Sequence, residues 1–179
     1  MRKLLSCVLA LMFLALPGCS SVKEETSALG YYEYLGQIDY SSSVSAFVWE
    51  QVEGEDDGFY GIQYRAVTDF NGITSQDEIA VCLYFYTTVV SGTESLTAGV
   101  EDLAQTLAGR VMFIAIDAMS ESSICSAYSV EGYPAFILID KGARVSTFNG
   151  YEYESWTVKD VADWLTDNGF EPDLTMLEA

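Results

Sequence analysis

The stretch Tyr128-Ser129-Val130-Glu131-Gly132-Tyr133-Pro134-Ala135-Phe136-Ile137-Leu138-Ile139-Asp140-Lys141-Gly142 decides how this chain folds. Pro134 has no N–H to give to a sheet ladder, so it belongs at the start of a strand rather than within one. Ala135 to Ile139 is an unbroken apolar run, the pattern of a strand buried on both faces. Asp140-Lys141-Gly142 is a turn signal, and Arg144 to Phe148 is a second strand-like run. Together they predict a hairpin with glycine in its turn.

The flanking segments extend this pattern. Ile79 to Tyr86 reads as another doubly buried strand, followed by a polar, small-residue stretch from Thr87 to Thr93. Leu96, Val100, Leu103, Ala104 and Leu107 mark one face of a helix stopped by Gly109. Val111 to Ile116 is the next buried strand, and Ser122 to Tyr128 suggests a short helix. Thr157, with Asp160 three residues on, opens a last helix that turns Val158, Val161, Ala162 and Leu165 inward and stops at Gly169. The order strand, helix, strand, short helix, hairpin, helix predicts an α/β domain: a mixed sheet with helices on both faces.

Residues 31–78 carry mixed signals and form either an N-terminal extension or the first part of the domain. Val44, Phe47, Val48 and Val52 recur at helical spacing behind Ser41-Ser42-Ser43, which predicts a helix near residues 43–53. Glu53 to Gly58 reads as a loop and Phe59 to Phe70 as a strand, with Asn71-Gly72 as a hairpin turn.

The chain opens with Met1-Arg2-Lys3 and an apolar run from Leu4 to Leu16, then Leu16-Pro17-Gly18-Cys19. A positive start and a run too short for the roughly twenty residues of a membrane span are the pattern of a secretory signal. Leu16-Pro17-Gly18-Cys19 resembles the bacterial lipobox, with Pro17 a departure from the usual small residue. That resemblance implies cleavage before Cys19, a diacylglyceryl group with acyl chains such as palmitate on its thiol, and a location on the extracytoplasmic side of a cytoplasmic or outer membrane. Residues 1–18 are then the signal peptide, 19–30 a lipidated polar tether, and 79–179 the core with its C-terminal helix and tail. Ser20 fits outer-membrane sorting.

Composition narrows the chemistry. The 179 residues carry 27 acidic and 8 basic side chains, net −19. Without Arg2 and Lys3 the acids outnumber the bases 27 to 6. Such a surface repels phosphate backbones, so nucleic acid is not an expected partner. Histidine is absent, which removes the commonest general base and metal ligand and any Ser-His or Cys-His pair within the chain. With Cys7 removed and Cys19 lipidated, Cys82 and Cys125 are the remaining thiols, too few for a four-thiolate zinc site. No catalytic residue, metal or cofactor is expected.

The element order and the Tyr128–Gly142 stretch resemble the thioredoxin superfamily over roughly residues 79–168. The Gly132-Tyr133-Pro134 form is most similar to protein disulfide isomerase domains. The resemblance implies a thioredoxin-like mixed sheet flanked by helices on both faces, and a cis bond before Pro134 beside the family's active site. It also shows a departure. With Phe85-Tyr86 on the family's Phe-Trp, the positions of its two reactive cysteines fall on Val90 and Thr93, neither of which can exchange disulfides. The family's buried acid falls on Tyr84, which cannot assist a thiol in that way. Some isomerase domains pair a cysteine at the position of Cys125 with one seven residues earlier, which here is Ala118. Cys82 and Cys125 therefore either bond to each other in an oxidising compartment or remain as two buried free thiols.

In the family, backbone beside the cis-proline pairs with an extended peptide. Here Tyr133 and Pro134 would face Thr88, Val89 and Val90 across a candidate partner-binding groove. Val89 and Val90 read equally well as caps of the core. Tyr31, Tyr32, Tyr34 and Tyr40, and Tyr151, Tyr153 and Trp156, either fill the core or extend a binding surface. Three functions follow from these residues. One is a lipid-anchored, redox-inactive thioredoxin-fold protein that binds a protein or peptide at the cell envelope. The second is a residual thiol-disulfide oxidoreductase using Cys82 and Cys125. The third is an accessory subunit of an envelope export or maturation complex. The lipobox itself predicts that Cys19→Ser abolishes metabolic labelling of the chain with radioactive palmitate, whereas undiminished labelling would place the lipid elsewhere.

Overall fold

A computed structural model of the chain describes residues 30–52, 54, 58–89 and 92–173. The lipobox with Cys19, the tether up to residue 29, and Val90-Ser91 lie outside the described residues. A 3-10 helix (Gly30–Tyr34) leads into β1 (Leu35–Ile38), β2 (Val44–Gln51), β3 (Tyr60–Val67) and α1 (Phe70–Ser75). Then come β4 (Ala80–Tyr86), α2 (Thr93–Thr106), β5 (Val111–Asp117) and α3 (Ser122–Ala127). The hairpin β6 (Ala135–Asp140) and β7 (Ala143–Asn149) precedes α4 (Val158–Asp167).

The seven strands form one sheet in the order β1-β3-β2-β5-β4-β6-β7. Strand β4 runs parallel to β5, through the crossover helix α2, and antiparallel to β6. This is the mixed α/β sheet the sequence predicts. Side-chain alternation along β4 divides the core in two: Val81, Leu83 and Phe85 point to the face covered by α1 and α3. Ala80, Cys82 and Tyr84 point to the face covered by α2 and α4, where Val100, Leu103, Leu107, Val161 and Leu165 are buried.

The hairpin turn matches its sequence signal. Lys141 and Gly142 both have positive φ (51° and 71°), as a two-residue type I′ turn requires. A Cβ at Gly142 would lie 2.8 Å from the Ser75 carbonyl oxygen, so glycine here also lets α1 approach. Helix α4 starts as predicted: Asp160 Oδ2 accepts from the Thr157 N–H (2.7 Å) and from its hydroxyl (2.9 Å). These bonds hold the Asp160 carboxyl below its ordinary range. The cap is therefore intact above the ordinary carboxylate range and is lost as pH falls through the depressed value.

Two expectations are corrected. Residues 43–53 are not a helix: Val44–Gln51 is strand β2, paired with β3 on one side and β5 on the other. Because β2 is central, all of Val44 to Val48 is buried, and burial on both faces erases the two-residue alternation that would have distinguished strand from helix. Asn71-Gly72 is not a hairpin turn either, but lies inside α1. The Asp69 carboxylate caps that helix by accepting from the Gly72 N–H at 2.9 Å, and the strand that follows pairs with β5 and β6 rather than folding back on β3. Residues 31–78 thus supply three strands and a helix to the same sheet. Among the described residues no helix is long and apolar enough to cross a membrane.

Phe136 is fully buried in β6 and stacks on Tyr84 with ring centres 5.0 Å apart. Phe136→Ala should cost about 3–5 kcal/mol of stability, read from the midpoint of chemical denaturation at unchanged slope.

Candidate functional site

The C-terminal end of β4 leaves a cleft where the strand stops and α2 begins. Its volume is about 480 Å³. Tyr84, Tyr86 and Thr87 at the end of β4 form one side. Gly92, Thr93, Ser95 and Leu96 of the α2 start form the second, and Tyr133-Pro134 ahead of β6 the third. Trp156, Thr157 and Val158 at the start of α4 complete it. The Tyr133–Pro134 bond is cis, as the resemblance implied.

Each wall is set by packing elsewhere. Thr93 Oγ1 donates to the Thr87 carbonyl at 2.8 Å, which ties the α2 start to the end of β4. Gly92, with φ 89°, makes the left-handed entry into that helix. The Trp156 ring lies against Gly150, where a Cβ would come within 2.7 Å of it, and meets Phe136 and Phe148 edge-on. Tyr84 is fully buried, and its hydroxyl bonds Thr97 Oγ1 at 3.2 Å. Burial pushes the Tyr84 phenol up to about 12, so it stays neutral at every physiological pH.

Of the residues singled out from sequence, Tyr133 and Pro134 line the cleft. Thr88 and Val89 do not: both are exposed just beyond the buried Thr87, and Val89 is 74 % exposed. Val90 lies outside the described residues. The tyrosines divide. Tyr31 is buried in the core, whereas Tyr40, Tyr151 and Tyr153 are exposed, Tyr153 stacked on Phe148. Sequence reasoning missed Tyr86, Ser95, Leu96 and Val158, and used Thr157 only as a helix cap. The available signal was positional, since each stands at the end of a predicted strand or the start of a predicted helix.

Of the two readings of the remaining thiols, the structure has the unbonded one. Both thiols are free and buried. Cys82 points to the α2/α4 face of the sheet and Cys125, on α3, to the opposite face, so the sheet itself separates them. The Cys125 thiol sits 4.0 Å from the Ala118 carbonyl oxygen, at the place where the isomerase partner would stand. Burial raises the Cys82 thiol far above its ordinary value. The Tyr133 phenol is also raised, first by its contact with the Cys125 thiol and then by burial.

The mixed sheet, the helix that starts at the end of β4 and the cis-proline facing that start define a thioredoxin-type domain. The thioredoxin family model matches residues 62–163, and the chain belongs to that family. Mitochondrial thioredoxin 3 of Saccharomyces cerevisiae is 19% identical, over 56% of this chain and 88% of that one, with a TM-score of 0.48. A point mutant of the thioredoxin of Halobacterium salinarum is 25% identical, over 56% of this chain and 82% of that one, with a TM-score of 0.46. No curated protein matches the chain.

The placement of the thiols has a direct test. In a Cys7→Ser/Cys19→Ser chain, iodoacetamide should add no group to the native protein and two groups after denaturation, without any reductant. Alkylation that needs prior reduction would restore the disulfide.

Proposed function

We propose that this protein is a lipid-anchored, redox-inactive thioredoxin-fold module that binds an extended segment of a protein partner at the bacterial cell envelope. The observation that carries the reading is the cleft: the cis-Pro134 wall and the α2 start are kept, while Thr93 stands at one reactive-cysteine position and Tyr84 at the buried acid. The family's peptide-facing geometry thus outlasts the groups that do its chemistry. The placement of Cys82 and Cys125, buried on opposite faces, favours binding over residual thiol exchange.

The surroundings support a docking role. Val89, Met119, Tyr151 and Tyr153 are exposed apolar side chains in the segments that follow β4, β5 and β7 at the cleft end of the sheet. Exposed apolar groups at the same end of the sheet are compatible with a protein partner. Anchoring fits as well. The Tyr31 N–H bonds Glu78 just ahead of β4, whereas the cleft opens at that strand's other end, roughly 23 Å away at ~3.3 Å per residue. A tether from Cys19 would thus join the fold at the end of the sheet opposite the cleft.

Titration calorimetry with unfolded secreted chains should show binding to the wild-type protein and none to Ser95→Trp, whose ring fills the cleft from an exposed position. The same wild-type protein should reduce insulin disulfides in dithiothreitol no faster than buffer does. Absence of heat with every unfolded chain, or insulin reduction above the buffer rate, would overturn the reading.

A further inference from the structure

Among the described residues the cleft has no charged side chain in its walls, in a protein with a large acidic excess. Five carboxylates flank the cleft, two of them on the cis-proline side. Asp160 is hydrogen-bonded to Thr157, and Glu94 is exposed between Thr93 and Ser95 in the first turn of α2. Asp117, at the end of β5, lies close enough to Tyr86 to help raise its phenol, after the larger effect of burial. On the cis-proline side the Tyr151 ring packs against Gly132, and Glu131 and Glu152 both act on its phenol.

One cation acts on this ring: Lys159 helps hold the Asp160 carboxyl down, after the larger effect of the bonds to Thr157. Among the described residues, none of Arg65, Arg110, Lys141, Arg144 and Lys159 lines the cleft. Lys159, the nearest in sequence, is paired with Asp163, and Arg144 is engaged by the Tyr128 carbonyl and Thr147. Lys141 and Arg110 stand at the opposite end of the sheet, in the β6–β7 turn and just ahead of β5.

An apolar and hydroxyl-lined floor inside a carboxylate ring selects its occupant by two separate terms. The floor rewards an uncharged bulky side chain that leaves water between Leu96, Trp156, Val158 and Pro134. The ring rewards positive charge outside the cleft, where the groups stay solvated and the attraction is screened by salt. We infer that the cleft recognises an extended segment with a large apolar residue flanked on both sides by lysine or arginine. The inference rests on the peptide-binding reading above and adds the chemistry of the partner.

Fluorescence anisotropy tests it on the full-length protein in a neutral detergent, with four labelled peptides. The first is Gly-Lys-Lys-Leu-Phe-Lys-Lys-Gly. The second and third replace its lysines by glutamine or by glutamate, and the fourth replaces Leu-Phe by Gly-Gly. The lysine peptide should bind about ten-fold or more tightly than the glutamine one at low salt, with the ratio shrinking as salt shortens the reach of the charges. The glutamate peptide should not bind. E131Q/E152Q, both exposed, should lower the lysine advantage and leave glutamine-peptide affinity unchanged. Equal affinity for the lysine and glutamine peptides would overturn the charge selection and leave the groove reading intact. Equal affinity for the Leu-Phe and Gly-Gly peptides would overturn the role of the floor. Binding of none of the four would overturn both this inference and the groove reading.

Discussion

Strand β4 is the constraint from which the rest of the molecule follows. It is held between β5 and β6, and every side chain from Ala80 to Phe85 is buried. A strand with no solvent face must satisfy two cores at once, and its alternation does so: Val81, Leu83 and Phe85 on one side, Cys82 and Tyr84 on the other. Burying one such aliphatic or aromatic side chain stabilises by about 1.5–3 kcal/mol, a large share of the ~5–15 kcal/mol net stability of a typical domain. The strand's position also sets where anything can bind. At Tyr86 and Thr87 the ladder with β6 runs out, α2 turns away, and the cleft opens between them.

The cleft is maintained by packing and does not depend on reactive groups. Trp156 is held by Phe136 and Phe148, themselves core residues of β6 and β7, and Thr157 is held by the cap of α4. Tyr84 fills the space below with a phenol that stays neutral and bonds Thr97. Its walls are held by ring packing and by the Thr93–Thr87, Tyr84–Thr97 and Thr157–Asp160 hydrogen bonds. This is why a thioredoxin-family fold can keep a peptide-sized groove on our reading of its function.

The N-terminal third is bound into the same logic. The family match starts at residue 62, within β3, yet β2 lies wholly before that point and sits between β3 and β5. Phe47 enters one core while Val44, Ala46 and Val48 enter the other. Residues 31–78 therefore cannot be removed as an appendage, since their loss would uncover the flank of β5. The helical reading of residues 43–53 failed for this reason: a strand walled in on both sides shows continuous burial, and short apolar runs of that kind fit either period.

Much of the fold from Ile79 onward was legible because local signals agreed there: doubly apolar strands, a helix face, the Lys141-Gly142 turn and the Thr157 cap. The Gly132-Tyr133-Pro134 motif located one wall of the site. The sequence by itself determined these elements and their order, the acidic excess and the lack of histidine. Each is a property of neighbours along the chain or of a count. Only the tertiary structure decided that β2 is a central strand, that Cys82 and Cys125 face opposite cores, and that Trp156, Leu96 and Val158 join Pro134 around one cleft. Those outcomes depend on which side of the sheet a residue faces and on which segments meet across it. Spacing along the chain carries no direct record of either.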